Sequence, residues 1–247
     1  MSLRIEGVVF DIGDTLVAAQ DLMRHSITDS AQYLFEQGII DDPIQMSSIF
    51  MEVDKTIYQH HINHLFSSIE IMHETLQQYS KHSKMNKYTL LTNAALLLSY
   101  YRLRIRHRLE ENQTIHQIFV EIRARGLKIG VVSNGTLVEQ VETLVRLGIV
   151  NLIDAIVISE EYGYEKPSAK LFDVIAESLS ISKSNILLVG DDWKSDIVGG
   201  FEAGMKVALL TQYVNSRPKS EIKFPYYLIE NITDVLSLLN RYFRPEG

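Results

Sequence analysis

The sequence predicts an α/β fold in which a parallel sheet, covered on both faces, is interrupted by an all-helical insertion. Three observations predict it. Short apolar runs rich in Val and Ile recur through the second half of the chain, helical patterns alternate with them, and a long stretch after the first run holds almost no helix breakers.

The elements follow in order. Ile5–Phe10 reads as the first strand. Between Gly38 and Gly126 there is no glycine and Pro43 is the only proline, so this interval should be mostly helix. Its apolar residues recur at helical spacing: Ile27, Ala31, Leu34 and Phe35; Ile49, Phe50, Val53 and Ile57; Ile62, Leu65, Phe66, Ile69 and Leu76; and the Leu90–Leu103 segment. After Gly126 the texture changes. Lys128–Val132, Ala155–Ile158, Ile186–Val189 and Val207–Leu210 are continuous apolar runs, as strands buried on both faces require. Helices are expected near Leu137–Leu147, Ala169–Ser178, Ile197–Ala203 and Thr233–Tyr242. The result is a Rossmann-like, three-layer parallel-sheet core, residues 1–17 and 111–247, with a helical cap domain at 18–110 inserted after the first strand.

Composition narrows the function. The chain has 247 residues, 46% hydrophobic and 22% charged, as a soluble globular protein does. A net charge of −7 argues against nucleic acid or an anionic membrane as partner. Without Cys there is neither disulfide nor thiol chemistry. No amino-terminal leader is evident, and Leu90–Leu103 is broken by Thr92, Asn93, Ser99 and Arg102. These features lead us to expect a cytoplasmic protein, with the oligomeric state open.

Chemistry-bearing residues gather at strand ends. The run Val8–Phe10 stops at Asp11, a poor strand residue, before the turn Ile12-Gly13-Asp14-Thr15-Leu16. Ser133-Asn134-Gly135 ends the second strand and opens a helix, Lys166-Pro167 follows the third, and Gly190-Asp191-Asp192-Trp193-Lys194-Ser195-Asp196 follows the fourth. Each has an ordinary reading as a cap or turn. Four such coincidences at successive strand ends are improbable, and ligands collect there in open α/β sheets. A hydroxyl, a cation and several carboxylates suit a divalent metal with phosphate.

At these residues the sequence resembles the haloacid dehalogenase superfamily, in particular its phosphatase-like members with a helical cap. The family's first motif, Asp-x-Asp-x-Thr-Leu, stands here as Asp11-Ile12-Gly13-Asp14-Thr15-Leu16; its Ser or Thr is matched by Ser133, and its Lys by Lys166-Pro167. The fourth motif matches over Gly190-Asp191, Asp196, Gly199-Gly200 and Ala203-Gly204-Met205. The resemblance implies a Mg²⁺-dependent hydrolase of a small phosphorylated metabolite, with Asp11 as nucleophile and an aspartyl-phosphate intermediate. It implies that Mg²⁺ is held by Asp11, the Gly13 backbone carbonyl and Asp191, with Asp196 or Asp192 as direct or outer ligands. Ser133, the Asn134 and Gly135 amides and Lys166 would hold the phosphoryl oxygens.

One departure matters. The family places its general acid/base two residues after the nucleophile, where this chain has Gly13. Asp14, one position later, is either a turn-stabilising carboxylate, which its turn chemistry favours, or a displaced acid/base. The alternatives to a phosphatase are therefore a haloacid dehalogenase, whose halide leaves unprotonated, and a non-catalytic phosphometabolite- or protein-binding member. The concentrated charge of Asp191, Asp192 and Asp196 favours a metal and the phosphatase. His60, His61 and His64 read as a solvated helix face, and Arg102, Arg104, Arg106 and Arg108 are expected to spread around a helix.

Overall fold

A computed structural model describes residues 4–60, 68–80, 86–110, 112–217 and 224–242. Its elements are β1 (Gly7–Phe10), α1 (Ala19–Glu36), α2 (Pro43–His60), α3 (Ser68–Tyr79), α4 (Lys87–Arg108), α5 (Gln113–Ala124), β2 (Lys128–Ser133), α6 (Leu137–Arg146), β3 (Ala155–Ile158), α7 (Ser159–Tyr162), α8 (Ala169–Leu179), β4 (Ile186–Gly190), α9 (Gly199–Glu202), β5 (Lys206–Leu210), β6 (Tyr227–Ile229) and α10 (Asp234–Tyr242). The chain divides into two compact units, Met1–Ala18 with Glu111–Gly247, and Ala19–Glu110.

In the first unit all strand pairs are parallel, in the order β3-β2-β1-β4-β5-β6. Successive residues of each strand feed opposite faces, which is why the strands read as unbroken apolar runs. Val8, Phe10, Ile129, Val131, Leu187 and Val189 pack with Ile118, Phe119 and Ile122 of α5 and with Val235 and Leu239 of α10. Val9, Val132, Val157, Leu188 and Leu209 pack on the other face with Leu171, Phe172 and Ile175 of α8. Phe10 and Phe119 stack with ring centroids 5.0 Å apart.

The order turns outward in both directions from β1 and β4. Phe10 pairs with Val131 on one side and Val189 on the other, so the chain leaves β1 between two neighbours whose carboxyl ends lie alongside. This is the switch point at which open α/β sheets form a crevice. Asp11 and Asp191 follow the two strands that flank it.

The sixth strand, Tyr227–Ile229, is absent from the sequence reading, being three residues long and preceded by Pro225. The helix expected near Ile197–Ala203 is present as α9 but begins earlier, with a π-helical stretch, Trp193–Val198, running into it. Gly200 lets it lie flat on the sheet: a Cβ there would come within 2.4 Å of Leu188.

The regular elements of the second unit, among its described residues, are the helices α1 to α4. Ile27, Ala31, Leu34, Phe50, Leu76 and Leu97 form its core, as the helical spacing requires. Phe35 does not belong to it, being 45% exposed, because the α1 stripe is centred on Ile27, Ala31 and Leu34. The arginines of α4 are not evenly dispersed. Arg104 and Arg108, one turn apart, both reach Asp29, at 3.7 and 2.9 Å, and Arg104 donates to the Tyr100 hydroxyl at 2.6 Å. His61 and His64 lie outside the described residues, as does the side chain of His60. Among the described residues no helix is long and apolar enough to cross a membrane.

Candidate active site

Asp11 is the first residue past β1, its N–H still donating to the Val189 carbonyl at 3.0 Å. The strand hydrogen-bonding thus continues one residue into the turn and fixes the direction of the Asp11 side chain. The turn then tightens: the Leu16 and Val17 amides both donate to the Ile12 carbonyl, at 2.8 and 3.2 Å. Asp14 takes a left-handed backbone conformation, φ 51°, which an L-residue enters at a cost. Gly13 has no such φ.

Lys166 is the hub. Its ammonium donates to Asp11 Oδ1 and to Asp196 Oδ1, each at 2.6 Å, and all three residues are buried. The Ser133 hydroxyl donates to the same Asp11 oxygen at 3.1 Å. Asp191 is held from the β1 turn, its Oδ1 accepting from the Thr15 hydroxyl at 3.1 Å. One carboxylate oxygen each from Asp11, Asp191 and Asp196 lies within 4.8 Å of the others, the group able to hold a metal among the described residues.

Gly190 makes this packing feasible. A Cβ at that position would sit 2.4 Å from the Asp196 carboxyl carbon, so the carboxylate occupies the space a side chain would need. A Cβ at Gly199 would likewise sit 2.7 Å from the Pro167 Cβ. The glycines of the fourth motif thereby bring Asp196 and Lys166 together.

The charges do not balance. Four carboxylates, Asp11, Asp14, Asp191 and Asp196, are buried with one ammonium, which touches Asp11 and Asp196. Burial works against the charge on Lys166, but Asp11 and Asp196 more than offset it and raise its pKa. Asp191 and Asp196 are both pushed up, first by burial and then by neighbouring carboxylates, to about 8 and about 7, with Lys166 opposing the shift. As a coupled cluster they retain a proton well above the usual carboxylate range. A hard divalent cation with oxygen ligands would supply the missing positive charge, so the donor set fits Mg²⁺.

The remaining sequence candidates are sorted by their partners. Asp192 is exposed, and its Oδ1 caps the π-helical stretch by accepting from the Ser195 N–H at 2.6 Å and the Ser195 hydroxyl at 2.8 Å. Its carboxylate is not in the group formed by Asp11, Asp191 and Asp196, while its N–H donates to Asp196 Oδ2 at 3.1 Å. The Gly135 amide is also not free for an anion: it donates to Ser159 Oγ at 3.0 Å. The Leu137 amide is likewise engaged, by Glu160 Oε2 at 2.7 Å. Asn134 works through its side chain. Its Oδ1 accepts from the Lys166 N–H at 2.8 Å and its Nδ2 donates to the Lys166 carbonyl at 3.1 Å, so it clamps the backbone that carries the ammonium. Asp14 is buried, and it adds a smaller contribution to the pKa values of Asp191 and Tyr213, which burial raises first. Trp193 stacks on Phe224 at 5.6 Å and meets Tyr226 edge-on at 5.2 Å.

Sequence reasoning had no role for the Thr15 hydroxyl, the Asn134 side chain or Ser159. Thr15 is signalled by its place in the first motif; the others are visible only once β2 and β3 are side by side.

The comparisons agree with this geometry. Residues 8–210 match the family model of haloacid dehalogenase-like hydrolases. A glyceraldehyde 3-phosphate phosphatase of Methanopyrus kandleri is 25% identical over 237 residues, covering 95% of this chain and 97% of the relative. The pyrimidine 5'-nucleotidase YjjG of Escherichia coli is 34% identical over 116 residues, 47% of this chain and 51% of the relative. Among solved structures, the HAD-hydrolase YfnB of Bacillus subtilis, bound to magnesium, has a TM-score of 0.73 at 20% identity, covering 96% of this chain and 99% of that one. A 2-haloacid dehalogenase of Pseudomonas syringae has a TM-score of 0.70 at 18% identity, over 96% and 99% of the two chains. With the four strand-end segments converging as they do and the family model spanning most of its length, the chain belongs to the haloacid dehalogenase-like hydrolases.

Proposed function

We propose that this chain is a Mg²⁺-dependent phosphatase of a small phosphorylated metabolite. The observation that carries the reading is the buried Lys166 ammonium held at 2.6 Å from both Asp11 and Asp196, with Asp191 in the same cluster. Asp11 is the nucleophile: an oxygen attacks phosphorus in line, the ester oxygen leaves, and an aspartyl-phosphate remains for water to hydrolyse. Lys166 and the Ser133 hydroxyl, both beside Asp11 Oδ1, stabilise charge on the phosphoryl oxygens. The Asn134 backbone amide remains as a further donor, with Gly135 serving the loop instead. Asp11, Asp191, the Gly13 carbonyl and, directly or through its neighbours, Asp196 would hold Mg²⁺. When bound, the ion neutralises the clustered carboxylates and the incoming phosphate.

The dehalogenase reading keeps one supporting observation, the absence of a side chain at Gly13. The named phosphatases among the relatives and the under-compensated carboxylates favour phosphate. Phosphate release from a panel of phosphorylated metabolites, beside halide release from organohalides, each with and without Mg²⁺, tests the choice. We expect Mg²⁺-dependent phosphate release alone. Halide release without Mg²⁺ would overturn the reading.

The metal site also carries a pH dependence. Asp191 and Asp196 have pKa values raised to about 8 and about 7 in the metal-free protein, and Mg²⁺ needs them ionised. Protons therefore compete with the metal below that window, so Mg²⁺ affinity rises as pH increases through it. Stability runs oppositely. Groups raised above their unfolded values stabilise the metal-free fold, fully so below the usual carboxylate range, and that contribution is lost progressively as pH rises from there to about 7 and about 8. Calorimetric Mg²⁺ titrations across this range check the first statement; an affinity independent of pH would contradict it.

A further inference from the structure

The connection between β5 and β6 carries a residue that none of the four motifs contains. The Ser216 hydroxyl donates to the Asp191 carbonyl and accepts from the Trp193 N–H, the latter at 2.9 Å. It thus joins both sides of the Asp192 residue at the point where the chain leaves β4 and enters the π-helical stretch. The first N–H groups of any helix lack partners within it, and an unrestrained turn there can rotate. Asp192 satisfies the Ser195 amide of this helix and Ser216 the Trp193 amide. Trp193 is gripped further by Phe224 and Tyr226, which approach β6 at the far end of the same connection.

We infer that Ser216 is a positioning residue for the metal site, fixing the backbone of Asp191 so that its carboxylate stays with those of Asp11 and Asp196. The proposal rests on the Mg²⁺ reading given above and adds a residue to it. Two hydroxyls then share the task from opposite neighbours. Thr15, on the turn after β1, holds the Asp191 carboxylate itself, and Ser216, from beyond β5, holds its main chain. The strand order β1-β4-β5 places the two donors on either side of Asp191.

The test compares Ser216→Ala and Ser216→Thr with the unaltered full chain. Groups that orient a ligand from behind typically contribute ~10–100-fold to metal affinity. Ser216→Ala should lose Mg²⁺ affinity within that range by calorimetry, with a thermal midpoint close to that of the unaltered protein. Ser216→Thr, which keeps the hydroxyl, should recover most of the affinity. Trp193 is the single tryptophan, so its emission reports the turn directly and should shift in the metal-free Ala variant. Unchanged Mg²⁺ affinity in Ser216→Ala, or no recovery in Ser216→Thr, overturns the proposal. Should the unaltered chain bind no Mg²⁺, the metal reading itself falls. The latch is then judged by amide exchange at Trp193: faster exchange in Ser216→Ala supports it as a restraint on the turn, and unchanged exchange overturns that as well.

Discussion

Asp11→Asn is expected to abolish hydrolysis, lowering kcat by roughly 10⁴- to 10⁶-fold, the scale on which covalent catalysis fails when one member of its unit is removed. The amide has the shape of the carboxylate but no charged oxygen to attack phosphorus. The fold should survive, because the Asp11 N–H keeps its bond to Val189 and the side chain keeps its place beside Ser133. Lys166 would retain Asp196 as an ion-pair partner. A folded Asp11→Asn protein that turns over at most of the original rate would remove the covalent mechanism.

The second large effect is a gain. Gly13 supplies no proton donor near the leaving oxygen, so an alkyl phosphate must expel an unassisted alkoxide, whereas an aryl or acyl phosphate expels a stabilised anion. Aryl and acyl phosphates should therefore be cleaved far faster than alkyl phosphates by the chain as it stands. Gly13→Asp should raise alkyl-phosphate turnover by ~10²–10⁴-fold, the usual contribution of a placed general acid. The backbone permits the change, since Gly13 has no left-handed φ. Asp14→Asn is the control. Asp14 is buried and its charge is felt at Asp191, so a displaced acid role has a physical basis. If Asp14→Asn alone abolishes alkyl-phosphate hydrolysis while Mg²⁺ affinity and fold persist, Asp14 is the acid and Gly13 is no handicap.

Much of the fold was legible because its signals are local. A strand buried on both faces must be apolar at every position, and β1 to β5 each declare it within four to six residues. The helical insertion was visible through its lack of breakers and its spacing. β6 was not, since three residues at a sheet edge carry too little pattern. Within the site, Asp11, Ser133, Lys166, Asp191 and Asp196 could be read because each closes a strand or stands in a spaced motif. Which of the Asp192 and Asp196 carboxylates lies beside those of Asp11 and Asp191 could not. It depends on the π-helical stretch, which turns Asp196 inward and leaves Asp192 as its exposed cap. The loss of the Gly135 amide to Ser159 and the bridge made by Ser216 join segments 24 and 25 residues apart. Such contacts are set by strand order, which residue types along one chain do not encode locally.

The most direct test follows the oxygen of water during turnover. Hydrolysis of a cleaved phosphate ester would be run with Mg²⁺ in ¹⁸O-labelled water, followed by mass analysis of the released phosphate and of the peptide containing Asp11. If Asp11 attacks phosphorus and water then attacks the phosphorus of the intermediate, the label enters phosphate and the Asp11 carboxylate stays unlabelled. With Asp11→Asn also inactive, that result is the one the account predicts. Label accumulating in Asp11 would mean that water attacks the carboxyl carbon, as in hydrolysis of a carbon ester, and would contradict it.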